Sequence, residues 1–469
     1  MADRLQRIQW EPAGALALIC AVLGVLAGVD PRLAIFAALG LAFVVLTFAD
    51  LAAGLVVLII VTFAETTPLA GPALSFTKLT GLLLAVAWVA RIATQPAGRE
   101  RLIFDAHPGF SYLLAAFVGW VAISTAWAEN TASALTQGSR IFLLALLYVI
   151  VYTAVRTRRQ AVWAIVGFVA GAAMTAVYGL ILGPSPDPLE AGRLLATVQD
   201  PNFLAAALVA GVALSLAGFI AARGWPLLRL AAAGATGLCL LAFFLTGSRG
   251  GFVGFAVALM AMVIVAGQPR ARARAAIVAL ALALCTVAYY AFYAPQEIRE
   301  RIESATQGEV AREEGRVTIW TVGWRMVEDQ PVQGVGIGNF EEQSPHHVLE
   351  PGTLPRGDLV IDRPSVAHNT YLGVLAELGV IGAALFLAVI GFSVGTAVTA
   401  ARRFAARGEW RMEALARGLV VALAGVLAAD FFISAEVSKV TWLLLALGPA
   451  LLAVARDERG ASANVRASR

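Results

Sequence analysis

The sequence predicts an all-α protein that crosses a membrane many times, and three observations carry that prediction. Hydrophobic residues make up 59% of the 469-residue chain and charged residues only 14%, against about 25% charged in an average soluble domain. Apolar runs long enough for membrane helices recur from one end of the chain to the other. Positive charge collects in alternate connecting segments. The alternating segments of a transmembrane β-barrel are missing, so helices are left to satisfy the backbone in lipid.

Fourteen runs read as spans: 13–29, 32–48, 51–64, 79–92, 109–127, 140–155, 161–182, 202–222, 230–246, 252–267, 275–293, 379–400, 418–434 and 440–455. The pair 32–48 and 51–64 is short and joined only by "AD", so twelve is the other count. The first run sits in "MADRLQRIQWEPAGALALICAVLGVLAGV" and imitates a signal peptide. It lacks a small-residue cleavage site, and a second span follows at once, so it reads as a retained first helix. Cys20, Cys239 and Cys285 lie inside apolar runs and read as packing residues, not a disulfide framework.

One alternate set of connections holds "MADRLQR", "RIATQPAGRERL", "RTRRQ", "RGWPLLR", "QPRARAR", "ARRFAARGEWRMEALAR" and "RDERGASANVRASR". It contains 22 of the 35 Lys and Arg residues. Of the remaining 13, seven lie in one long loop, which crosses regardless of charge, so the comparison is 22 against 6. Both termini are expected in the cytoplasm, and the long loop outside. Three parts follow: a helix bundle over 1–293, a loop over 294–367 with an amphipathic helix, and helices plus a cytoplasmic tail over 368–469.

Basic residues on the outer side work against this topology and need another reason to be there. Arg249 lies in "LTGSRGGFVGF", where glycines let the chain turn sharply and a ligand approach. It reads either as an anion-binding guanidinium, with Ser248 beside it, or as a turn residue that snorkels. Arg193 lies in "EAGRLLATVQDPNFLAAAL", free by sequence to reach a site or solvent. In the same stretch Asp200 reads first as a helix cap ahead of Pro201, and only second as a base.

In the long loop, "REEGRVTIWTVGWRMVEDQP" reads as an amphipathic helix that Pro331 stops, with Val317, Trp320, Trp324 and Val327 on one apolar stripe. Two tryptophans suit a helix at the membrane interface. Arg316 stands near its start, where backbone N–H groups also favour an anion. "GVGIGNF" lacks the spacing and the strand of a nucleotide-binding fingerprint and reads as a turn. His346 and His347 are adjacent, which suits a solvated pair better than a zinc site. No metal and no cofactor is expected, and nothing points to nucleic acid.

"DRPSVAHNTYLGVLAELGVIGAALF" places His368 where the loop meets an apolar helix, with Ser365 as a possible cap and Asn369 next in line. A histidine near guanidinium groups or a helix N-terminus has its cation disfavoured. It is then neutral at ordinary pH and able to accept a proton. The alternative is an interfacial histidine that only bonds a carbonyl, and the residues alone leave the two open. Glu377 and Asp200 are reserve bases.

Four stretches together, "GRLLATVQDPNFLA", "TGSRGG", "GRVTIWTVGWRMVEDQPVQGVGIGNF" and "AHNTYLGVLAELGVIGAALF", resemble the O-antigen ligase/polymerase superfamily of bacterial membrane proteins in content and order. The resemblance covers about residues 190–390; the chain departs from it in carrying more spans before the loop than the family's ligases. It implies a metal-independent, GT-C-like glycosyltransferase of the bacterial inner membrane, with its active site facing the periplasm. The glycan donor would be linked to undecaprenyl diphosphate. The acceptor hydroxyl would belong to lipid A-core in a ligase, or to another lipid-linked glycan in a polymerase. Family arginines that hold the diphosphate match Arg249 and Arg316, with Arg193 a recurrent third, and the family histidine matches His368. A flippase or transporter is the rival class. It would place ionisable groups near mid-membrane, often in repeated halves, whereas here the polar features gather at one face.

Overall fold

The computed structural model describes residues 19–64, 76–94, 102–185, 192–196, 200–296, 298–299, 311–348, 354 and 365–467. Residues 1–18 of the first run, with their retained-helix reading, lie outside the described residues. So do 301–310 and most of 349–364 in the long loop. Among the described residues the regular elements are all helices.

Each apolar run lies on a helix. In chain order these are α1 (Ile19–Val29), α2 (Pro31–Ala49), α3 (Leu51–Thr62), α4 (Phe76–Thr94), then α5 (Ile103–Ala106), a short turn, and α6 (Pro108–Ser124). There follow α7 (Thr131–Ala154), α8 (Arg158–Leu182), α9 (Pro201–Ala221), α10 (Pro226–Leu245), α11 (Arg249–Val265) and α12 (Pro269–Ala288), which runs into a π-helical turn at Tyr289–Tyr293. The loop carries α13 (Ala311–Asp329) and α14 (Phe340–Val348), and α15 (Thr370–Ala406), α16 (Trp410–Ala429) and α17 (Lys439–Ala467) close the chain. Nine helices among the described residues are long and apolar enough to cross a membrane, and five apolar ones are shorter, so this is a multi-pass membrane protein.

The helix starts follow from local chemistry. Pro occupies the first turn of α2, α6, α9, α10 and α12, where its missing N–H costs nothing and its fixed φ suits the helix. Asp50 ends α2 and caps α3 through Ala52 N at 2.9 Å. Thr157 and Gln160 form a capping box on α8. In the packed centre, α9 is buried along most of its length against α8, α10, α11 and α16. By contrast α12 buries no residue and packs on α11. Cys239 is buried as a packing residue, whereas Cys20 and Cys285 face outward.

Three expectations change here. The helix after the loop begins at Thr370, after the start that a Ser365 cap implies and ahead of the apolar run at 379, so His368 precedes the helix instead of lying on its first turn; the helix breaks at Gly379 (φ +64°, ψ −172°). Its cap is Asn369, whose Oδ1 accepts from Tyr371 N and Leu372 N at 3.1 Å each, not Ser365. On α13 the buried face runs through Gly315, Thr318, Val322 and Met326, while Val317 and Trp324 of the expected stripe are 52% and 53% exposed. The loop packs inward through smaller residues and turns those two outward.

The glycine turn after α13 locks the loop to the bundle. Gly334, Gly336 and Gly338 all have positive φ. A Cβ on Gly334 would strike the backbone of Glu377 and Gly379, and one on Gly379 would strike Val332 O. That close meeting lets Val335 N and Gly336 N donate to Ala376 O and Glu377 O, both at 2.9 Å, and Val380 N to Pro331 O at 2.9 Å. Trp120 and Trp127, at the end of α6, donate to Leu378 O (2.9 Å) and Gly334 O (3.1 Å). The starts of α7, α9, α11 and α15 and the α16–α17 connection share this end of the bundle.

Candidate active site

Two helix starts form the floor. Asp200 caps α9 by accepting from Asn202 N (2.6 Å) and Phe203 N (3.3 Å), so the cap reading of its local sequence stands. Ser248 caps α11 through Gly251 N at 3.1 Å. Asn202 joins them: its Oδ1 accepts from Ser248 Oγ at 2.8 Å and from Arg193 Nη2 at 3.0 Å. Arg193 also donates from Nε to Thr246 O at 2.7 Å and is 1% exposed. It is neither solvated nor at the surface but stands as a strut between the two starts. Arg249, half-buried, opens α11 directly after Ser248.

His368 lies just ahead of the α15 cap, in the left-handed region at φ +47°. That conformation is uncommon for a non-glycine residue, though histidine is among those that adopt it. Its position is fixed from both sides. Downstream, Thr370 Oγ1 donates to Ile433 O (2.7 Å) and accepts from Ala435 N (2.8 Å), and Tyr371 donates to Leu427 O at 2.6 Å. Upstream, Trp320 Nε1 donates to Ala367 O at 3.1 Å. Burial first, and then the Arg316 guanidinium, hold the imidazole below the ordinary histidine pKa, while Asp200 pulls the other way. Arg316 on α13 and Asp200 at the start of α9 are therefore each within electrostatic reach of His368.

Ser365 Oγ lies 3.2 Å from His368 Nε2 and 3.3 Å from Val366 O, so its hydroxyl can either donate to the ring nitrogen or accept from it. This arrangement can bind an anion through Arg249 and Arg316 and accept a proton on the imidazole.

Other expected residues have different surroundings. Both carboxylate oxygens of Glu377, which is 8% exposed, accept backbone N–H groups: Oε2 from Gly338 (2.9 Å) and Oε1 from Phe340 (3.1 Å). Glu377 staples the glycine turn and is not placed as a reserve base. The two histidines of α14 are not an equally solvated pair. His347 is buried with Nε2 3.9 Å from Asp329, while His346 is exposed beside Glu129 at 3.5 Å. No group of three or more metal-ligating side chains that could hold a metal occurs among the described residues. Asn202, Thr246 and Thr370 carried no marked sequence signal, and Trp320 read only as part of an apolar stripe; all four act through partners distant in the chain or through backbone carbonyls.

A family model described as O-antigen ligase matches residues 232–387. The match supports the O-antigen ligase/polymerase superfamily. The matched segment contains Ser248, Arg249, Arg316, His368, Asn369 and Glu377, while Arg193 and Asp200 precede it. It supports a membrane glycosyltransferase-like enzyme of the O-antigen ligase/polymerase type. A search of curated proteins gives no match.

Proposed function

We propose that the protein transfers a glycan from undecaprenyl diphosphate to an acceptor hydroxyl at the periplasmic face of the bacterial inner membrane, as an O-antigen ligase acting on lipid A-core. The observation that carries this reading is that Arg316 lies within electrostatic reach of His368, and both fall with Arg249 inside the segment matched by the O-antigen ligase model. The charge asymmetry of the connecting segments supports the outward placement of that end.

In the proposed reaction Arg249 and Arg316 hold the diphosphate of the donor. Each charge-assisted hydrogen bond is worth about 1.5–3 kcal/mol, and the pair offsets the negative charge that grows as the sugar–phosphate bond breaks. The acceptor oxygen attacks the anomeric carbon, and its proton passes to the His368 imidazole. The anomeric C–O bond breaks with its electron pair leaving on undecaprenyl diphosphate. A single displacement inverts the anomeric centre. Positioned general-base help of this kind is typically worth ~10²–10⁴-fold. No step needs a metal, because the arginines supply the electrostatics of the leaving group.

The test is transfer by purified protein in lipid, with donor and acceptor supplied. The expected result is free undecaprenyl diphosphate and a glycoside of inverted configuration, formed at full rate in a chelator. Retention of configuration would sink the single displacement, and loss of activity restored by Mg²⁺ would sink the metal-free scheme. The acceptor class is read from a deletion strain. Long chains accumulating on undecaprenyl diphosphate mark a ligase; single repeat units mark a polymerase.

A further inference from the structure

Three groups of the site come from three separate elements, and one side chain touches the support of each. Trp320 follows Arg316 by one turn of α13, so the two share a helix face. Its indole N–H reaches across to Ala367 O at 3.1 Å, one residue ahead of His368. Its ring meets Phe431 edge-on (centroids 5.7 Å apart, 80°) and Phe432 at 6.4 Å. Phe432 in turn lies so close to the start of α11 that a Cβ on Gly250, next to Arg249, would sit 2.6 Å from its own Cβ. Phe431 also packs on Tyr371, three residues beyond His368.

A residue held outside its comfortable backbone region persists only where its surroundings over-determine it. His368 at φ +47° is such a residue. The Asn369 cap and the Thr370 bonds clamp its downstream side. On the upstream side Trp320 holds the backbone through Ala367 O, while Ser365 Oγ meets only the ring, at Nε2.

We propose that Trp320 is a positioning residue: its indole N–H, bonded to Ala367 O, holds the His368 imidazole in register with the Arg316 guanidinium. The role rests on the transfer reaction proposed above and names a residue that the reaction needs but does not touch. The charged groups facing His368 are Arg316 from α13 and Asp200 from the start of α9. Loosening the clamp lets water in and moves the imidazole away from Arg316, so its titration rises toward the ordinary histidine value, about 6.5.

The experiment compares wild type, Trp320→Phe and Phe431→Leu as full-length protein in lipid nanodiscs. Trp320→Phe keeps a ring in the pocket and removes only the N–H donor. Histidine-selective ¹⁵N labelling follows the four histidines, with the His368 signal assigned by its loss in His368→Gln. The expected result is an upward shift of the His368 titration in Trp320→Phe and a smaller one in Phe431→Leu. In the transfer assay kcat falls about 10- to 100-fold, as a misplacement near 1 Å produces, while KM for the donor holds. If Trp320→Phe does not insert, Phe431→Leu carries the test alone. A His368 titration unmoved by whichever variants insert overturns the positioning role, since a tryptophan that merely fills space would leave it unmoved. Wild-type protein that transfers no glycan overturns the functional reading instead, and the titration needs no substrate to be read.

Discussion

Replacing Arg193 separates a structural strut from a phosphate ligand, and the structure sets the size of the effect. The side chain is 1% exposed and bonds Thr246 O at 2.7 Å and Asn202 Oδ1 at 3.0 Å. Hydrogen bonds from a charged donor are worth about 1.5–3 kcal/mol each. Removing the guanidinium leaves two neutral acceptors, Thr246 O and Asn202 Oδ1, without this donor, at about 1–3 kcal/mol each. Arg193→Met should therefore lower stability by about 2–6 kcal/mol. Asn202 retains its Ser248 bond, which keeps the loss toward the lower part of that range. Arg193→Lys should rescue little, because one ammonium cannot reproduce a fork that reaches two elements. Unfolding of the purified protein in detergent, followed by tryptophan fluorescence, reads the loss. Wild-type stability in Arg193→Met, with only KM for the donor raised, would refute the strut and make Arg193 a substrate ligand.

Three further outcomes follow from the same geometry. Glu377→Ala leaves the buried N–H groups of Gly338 and Phe340 without their acceptor, which costs about 1–3 kcal/mol each; Glu377→Gln, which keeps one acceptor, should recover part of the stability and most of the transfer, and a dead but stable Glu377→Gln would make the carboxylate chemical after all. Gly379→Ala forces a side chain into positive φ against Val332 O and should destabilise by more than about 1 kcal/mol, seen as a lower unfolding midpoint; an unchanged midpoint would contradict the close loop contact. His368 must be neutral to act as base, and its pKa lies below the ordinary value, so transfer should persist as pH falls to about 6.5 and fail only below it. Arg316→Lys should keep the acid limb of that profile, Asp200→Asn should move it to lower pH because a raising influence is gone, and a limb that moves upward in Asp200→Asn would contradict the assigned proximity.

Much of the fold was legible because it is written locally. Asp200-Pro201 starts α9 as expected, because a cap and a proline at the first helical position act within one turn. Each apolar run became a helix because lipid leaves the backbone no alternative. The cap of α15 was less legible: Ser365 and Asn369 both suit a helix start, and the choice is set by Thr370 bonding to Ile433 and Ala435, more than sixty residues away. The buried face of α13 escaped a hydrophobicity pattern because it is lined partly by Gly315, Thr318 and Gly323, while Trp324 faces outward. Arg193 stayed open between a site and solvent because its partners, Asn202 and Thr246, come from two different helix ends. Arg249, Arg316 and His368 were singled out as misplaced polar groups on one face. The bonds around them, Asn202 with Ser248 and Trp320 with Ala367 O, are tertiary and leave no spacing in the chain.

The most direct test of the proposed site is glycan transfer by purified His368→Ala protein that inserts and folds like wild type. With the general base removed, transfer should fall ~10²–10⁴-fold while the donor still binds through Arg249 and Arg316. Full activity of His368→Ala would contradict the base assignment and with it the chemistry proposed for this end of the bundle.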